Sequence, residues 1–342
     1  MTVLRVDTIS GIGSDGPVFD GDLEFNSQNF FVLPKGTTTE QFPDFATNAV
    51  DAASARGVFG GGLTPSNVNT IDYVTIASTG NANDFGDLTQ ARKFIGACSS
   101  STRGVLGGGF TTATVNTIDY VTIASTGNAE DFGDLFTGRY SSGACSSSTR
   151  GIFGAGYSTP ATVNSINYIT ISTTGNAQDF GDLTQSRGYI GACSSPTRGV
   201  FAGGQTPTYV NIIDYVTIAS TGNASDFGDL TQARVALAAC SSSTRGVFGG
   251  GNTPTLLNTI DYITISTIGN VVDFGDLLSV RGFLGACSSS TRGLFGGGQT
   301  PTFVNTIDYV TIRSTGNAND FGDLTVARQG IGACSNGHGG LG

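Results

Sequence analysis

Six cysteines, one histidine and a set of closely spaced carboxylates are the residues of this chain whose types could do chemistry. Cys98, Cys145, Cys193, Cys240, Cys287 and Cys334 are enough for a disulfide framework or a thiolate metal ring. Their spacing argues against both. Each sits in Gly-Ala-Cys-Ser, or in Ala-Ala-Cys-Ser at 238–241, and no Cys-x-x-Cys pair accompanies them. Equivalent points on neighbouring repeats seldom approach to the ~4.4–6.8 Å Cα separation of a disulfide, so each reads as a small buried hydrophobe with a free thiol. His338 stands alone in the glycine-rich tail from Asn336 to Gly342 and reads as a solvated residue rather than a catalyst. Asp84 and Asp87 could act as an acid–base pair, but the pair recurs in every copy of a repeat, unlike a single active site. Asn223-Ala-Ser225 matches a glycosylation acceptor. The glycine triplets lack the Lys-Ser/Thr and the helix of a phosphate loop. The expectation is a non-enzymatic protein with no catalytic residue, metal site or cofactor.

The elements that hold these residues repeat six times. Tyr73, Tyr120, Tyr168, Tyr215, Tyr262 and Tyr309 follow one another at steps of 47 residues, with one step of 48 between Tyr120 and Tyr168. A period of this size marks a solenoid, a propeller or an array. In the second copy, Phe94–Cys98 is a short apolar run and Ser99–Thr102 a turn. Arg103–Gly109 ends in a glycine triplet, and Thr117–Ile123 alternates β-branched and aromatic residues. Ser125–Asn128 turns again before Asp131–Leu135. No stretch carries apolar residues at helical spacing. Four short strands per copy cannot bury their faces alone, whereas six sheets packed radially can, and that arrangement removes most exposed edges. The chain is therefore expected to be all-β: a six-bladed β-propeller of four-stranded antiparallel blades over residues 47–342, preceded by a small non-repeating β segment, residues 1–46.

Counting decides the closure. The glycine-ending strands begin at Val58, whereas the cysteine strands run from Cys98 to Cys334. The segment 330–335 should therefore pair beside Gly57–Gly62 and complete the first blade. The local competitor, Asn48–Ala52, would place Asp51 at the cysteine phase, and an unpaired buried carboxylate costs several kcal/mol. The charges are periodic too, including the Asp84, Asp87, Arg92 and Arg103 sets; Lys93, Glu130 and Arg313 fall outside these phases, and Asn167 replaces the aspartate of Ile-Asp-Tyr once. The periodic Asp and Arg are read as ties between blades or as turn caps, and Phe85 and Tyr73 with their equivalents as inter-blade core.

Gly61-Gly62, Asp72-Tyr73, Phe85-Gly86-Asp87-Leu88 and Arg92 fall in the order of features found in kelch repeats, which these copies resemble over about 290 residues; Phe stands where that family has Trp. The resemblance implies the same propeller architecture. Function is then to be sought where the copies differ. They differ in the loop after the glycine triplet and in the crossover after the last arginine, and in an up-down blade both lie on one rim. The candidate binding face is therefore Leu63, Phe94, Phe110, Tyr140, Tyr157, Tyr189, Tyr209, Phe283 and Phe303.

Charged residues make up 12% of the chain and the net charge is −10, which excludes a phosphate-tracking nucleic-acid surface. No apolar run is long enough to span a bilayer, and the start, MTVLRVDTIS, lacks the regions of a cleaved signal peptide. Residues 1–46 carry short apolar runs, among them Leu4, Val6, Ile9, Phe19, Phe25, Phe30 and Phe31, that so small a piece cannot bury by itself. Leu4–Gly11 and Phe31–Thr37 resemble N-terminal segments of virion structural proteins of marine tailed phages, cyanophages in particular. The resemblance implies a virion protein made in the host cytoplasm. Its first segment would dock onto other virion proteins, in an oligomeric arrangement within the particle. Its propeller, in the manner of a tail or capsid fibre, would meet a host surface glycan or protein. A capsid or tail decoration protein and an intracellular kelch-type scaffold are the alternatives.

Overall fold

The computed structural model describes residues 55–341, and these form six four-stranded antiparallel sheets arranged as a β-propeller. The seven anchor residues named above, the boundary at 46/47 and the competing segment Asn48–Ala52 lie outside the described residues. Blade 2 shows the plan. From the axis outward its strands are Gly96–Ser99, Arg103–Gly107, Thr117–Thr122 and Glu130–Asp134. The inner strands of successive blades neighbour one another in an unbroken circle. Blade 1 closes as its sequence requires: Gly332–Ser335 pairs with Arg56–Gly60, with Val58 opposite Cys334 and Phe59 opposite Ala333. The inner strand starts two residues later than the apolar run suggests and includes the first serine of the Ser-Ser-Ser-Thr turn.

The core lies between blades. Cys98, Val105, Ile118 and Phe132 of blade 2 pack with Phe153, Ile169 and Ile171 of blade 3. All six thiols are free and buried. Each points at the next blade, and the glycine of Arg-Gly makes room for it: a Cβ on Gly151 would lie 2.7 Å from Cys98 Sγ. The Phe85 set is buried as expected, whereas Tyr73 is only half-buried. Its ring stands edge-on to Phe85 and lies beneath the Arg56 guanidinium at 4.7 Å. Burial of one such phenylalanine stabilises the fold by roughly 1.5–3 kcal/mol.

Outer strands are covered rather than left as open edges. The Gly-Asn-Ala turn of blade 3 donates from Gly175 and Ala177 to the carbonyls of Phe132 and Asp134, and Asn176 Oδ1 accepts from the Asp134 amide at 3.0 Å. Asn223, the residue in the glycosylation-like triplet, makes the same clamp on the Asp182 amide. Deeper in, the arginine that ends each blade reaches into the next. Arg92 meets Asp119, Arg187 meets Asp214, Arg234 meets Asp261, Arg281 meets Asp308 and Arg328 meets Asp72, at 2.7–3.1 Å, with both partners sealed from solvent. The carboxylates in these ties belong to Ile-Asp-Tyr rather than to the Asp84 and Asp87 sets.

Candidate functional site

The crossovers between blades meet on the axis. The Ser141 amide donates to Phe94 O, Tyr189 to Ser141 O, Ala236 to Tyr189 O, Phe283 to Ala236 O, Gly330 to Phe283 O and Phe94 to Gly330 O, a closed circle of hydrogen bonds at 2.7–2.9 Å. All six residues hold φ between +55° and +67°. That conformation costs a non-glycine residue about 1–3 kcal/mol, and the circle of bonds helps to maintain it. Side-chain size alternates around the ring: Phe94, Tyr189 and Phe283 are separated by Ser141, Ala236 and Gly330. The three large rings stand 5.7 Å from one another, which is contact distance for aromatic pairs. Six large rings could not share that space. A cavity of about 110 Å³ runs from these residues down the inner strands.

Six of the nine candidate rim residues form one connected aromatic cluster. Tyr140 stacks on Tyr157 at 5.3 Å and 17°, meets Phe110 at 5.2 Å and Phe94 at 6.0 Å, and Tyr157 reaches Tyr189 at 5.2 Å. Phe283 joins through Phe94 and Tyr189. The backbone places them: Lys93 bridges to Phe110, and Tyr140 to Tyr157, each crossover pairing with the loop of the next blade. Burial, then the phenols of Tyr140 and Tyr157, pushes the Tyr189 hydroxyl up to about 12. The Tyr157 hydroxyl is raised by burial first and then by Tyr140 and Tyr209; Tyr209 itself pairs with Gln205 in the loop of blade 4. Leu63 and Phe303 share the rim without joining these rings; Leu63 bridges to Gln329 and Asn67, and Phe303 to Gln299.

Three residues outside the candidate set belong to this arc. The Lys93 ammonium lies 5.2 Å from the Phe94 ring centre and 5.9 Å from that of Phe110. Phe136, on the same crossover as Tyr140, is 73% exposed, the most exposed of the large apolar side chains described. Its signal was a phenylalanine where four copies have threonine and one has Leu278. Beneath them is Arg139, whose partner is Asn167 Oδ1 at 2.9 Å instead of a carboxylate. Its remaining contacts are Ser165 O at 2.8 Å, Ser165 Oγ at 3.1 Å, Ala155 O at 3.3 Å and Thr137 Oγ1 at 3.4 Å. Burial alone brings the Arg139 pKa down to about 10. The replacements at 136 and 167 fall at the same junction. At other junctions the threonine hydroxyl binds the aspartate, as Thr89 Oγ1 does Asp119 at 2.7 Å, and with asparagine there is no such charge to satisfy.

The opposite end of the axis is uniform. Each inner-strand serine hydroxyl donates to the serine carbonyl of the preceding blade and accepts that serine's amide. Ser146 Oγ donates to Ser99 O at 2.7 Å and accepts from Ser99 N at 3.1 Å. The pattern passes through Ser194, Ser241, Ser288 and Ser335 and returns to Ser99. His338 is not the solvated tail residue that its neighbours in sequence suggest. It is half-buried below this ring, with Nε2–H donating to Ser99 O at 3.0 Å and Nδ1 accepting from the Gly340 amide at 3.1 Å. Burial lowers its pKa, partly opposed by the bond to Ser99. The tail reaches this place because it is glycine: a Cβ on Gly340 would lie 1.8 Å from Ser146 O.

Among the described residues, no three His, Cys, Asp or Glu side chains gather in a group that could hold a metal ion, and no helix is long and apolar enough to cross a membrane. No known protein family matches the chain, and no curated protein matches it. What the site offers chemically is contact: flat half-exposed rings, hydroxyls and one ammonium on a rigid frame.

Proposed function

We propose that this protein is a non-enzymatic binding propeller of a phage particle, attached to other virion proteins through residues 1–46 and meeting the host surface with its varied rim. The observation that carries this reading is the contrast between rims. One end is the same serine ring in all six blades, while the other stacks Phe110, Tyr140 and Tyr157 over one arc of blades 2 and 3 and joins them to Phe94, Tyr189 and Phe283 at the axis. Half-exposed tyrosines on a pre-ordered backbone bind at little entropic cost, which is why such residues dominate binding hot spots. The kelch-like order of features belongs to the same reading, with blades as scaffold and loops as the recognising surface.

The test uses full-length protein and particles. Removing residues 1–46 should abolish incorporation into particles while the thermal transition of the propeller is kept. Tyr140→Ala combined with Tyr157→Ala should abolish adsorption to host cells with incorporation unchanged. Normal adsorption by that double variant would sink the assignment of the rim. An intact protein that never adsorbs would leave only a decoration role.

A further inference from the structure

The rim is not electrically neutral, and its one charged arc coincides with its aromatic arc. The loops 62–69, 109–116, 156–164, 204–211, 251–258 and 298–305 and the crossovers 88–95, 135–142, 183–190, 230–237, 277–284 and 324–331 contain no Asp or Glu. Their cations are the six buried arginines and Lys93. Five of those arginines are neutralised by an aspartate of the next blade. Arg139 is not, since Asn167 supplies a neutral oxygen. Its guanidinium bonds the carbonyl of Ala155, two residues before Tyr157. In a protein with a formal charge of −10 this rim thus keeps two cations without carboxylate partners, Lys93 beside Phe94 and Phe110 and Arg139 beneath the loop that carries Tyr157. A charge held in a low-dielectric interior projects its field further than one in water.

We propose that the junction of blades 2 and 3 binds an acidic saccharide, with a pyranose face against Tyr140 and Tyr157 and its carboxylate drawn to the field of Lys93 and Arg139. This rests on the reading of the rim as the binding face and names its ligand class. Rings present apolar faces that match the C–H face of a sugar, while tyrosine and threonine hydroxyls on the same loops supply hydrogen bonds. A peptide would need an open strand edge or an apolar groove. The turns that cover the outer strands close the first route, and the bonded crossover ring fills the centre of the face. The substitution of Asn167 for aspartate then has a use, because an aspartate there would cancel the charge under the site.

The experiment titrates full-length protein with a methyl glucuronide oligomer and with the neutral glucoside oligomer of equal length, at low and at physiological salt. The acidic sugar is expected to bind about tenfold tighter, a difference of about 1.4 kcal/mol, and to lose that advantage as salt rises. Asn167→Asp, which restores the residue that five other junctions carry, combined with Lys93→Gln should bring the acidic sugar down to the affinity of the neutral one and leave the neutral one unchanged. Tyr157→Ala should weaken both. Equal affinity for the two sugars, or an Asn167→Asp, Lys93→Gln double variant that still prefers the acidic one, overturns the proposal. So does competition by an acidic peptide and not by sugar. Adsorption to host cells without binding to either oligomer removes this inference and keeps the host-binding role; sugar binding without adsorption does the reverse.

Discussion

Five of the six blade junctions are sealed by a buried arginine and aspartate, and the sixth by Arg139 and Asn167. The backbone frame is the same at both kinds. The crossover ring of hydrogen bonds runs unbroken through the odd junction, and so does the serine ring at the other end of the axis. A closed propeller can therefore give up one ion pair without losing its geometry, because continuous rings of backbone and serine bonds hold the neighbouring blades in place. The difference is electrostatic, and it falls under the aromatic arc.

The widest gap between the two kinds should appear on removing the partner. Asp261→Ala strands Arg234 in the interior and is expected to cost about 3–5 kcal/mol. Asn167→Ala removes one neutral acceptor from an arginine that keeps its bonds to Ser165 and Ala155, and should cost about 1–2 kcal/mol. Chemical denaturation of the two variants measures this gap, and equal losses would mean that the five charged ties add nothing over the neutral one. Converting the odd junction comes next. Asn167→Asp with Phe136→Thr rebuilds the carboxylate and its hydroxyl partner and should gain about 1–2 kcal/mol; a loss would show that the ring around Arg139 has settled on the neutral pair.

The sixth blade offers an intermediate case. Asp308 keeps its arginine but faces Leu278 where most copies have threonine, and its Oδ1 has no partner. Leu278→Thr should stabilise the fold by about 1 kcal/mol, seen as a rise in melting temperature; no rise would mean that the new hydroxyl does not bond this oxygen. The far end of the axis serves as a control. The depressed pKa of His338 means that the unfolded chain, near pKa 6.5, binds the proton more readily than the seated tail. The contribution of the seat is thus complete above that value and is lost as pH falls through the lower, folded one. Proteolysis of residues 336–342 should quicken towards pH 5 in the native protein, with no pH step in His338→Ala and no change in sugar binding. A tail equally protected at pH 5 and pH 7.5 would contradict this.

Much of the fold was legible in the chain because a sixfold repeat reports each structural demand six times. The period, the strand pattern and the mismatch between the Val58 and Cys98 series were enough to place the segment 330–335 beside Gly57–Gly62, where the structure pairs Gly332–Ser335 with Arg56–Gly60. The site was legible in outline, since variation between copies pointed to the crossovers and loops of one rim. Its centre was not. Phe94, Tyr189 and Phe283 looked like three separate loop residues, and only their meeting on the axis explains why Ser141, Ala236 and Gly330 alternate with them. Asn167 was visible as an exception, but its pairing with Arg139 joins two blades across 28 residues of chain.

His338 marks the same division. Its neighbours in sequence are glycines, and nothing local says that they open a way to the carbonyls of Ser99 and Ser146. The sequence by itself determined what each blade is, because strand pairing and glycine turns are short-range demands repeated in register. The tertiary structure decided which residues stand together on the axis and which buried arginine lacks a counter-charge, because both depend on blades that meet only once the ring has closed.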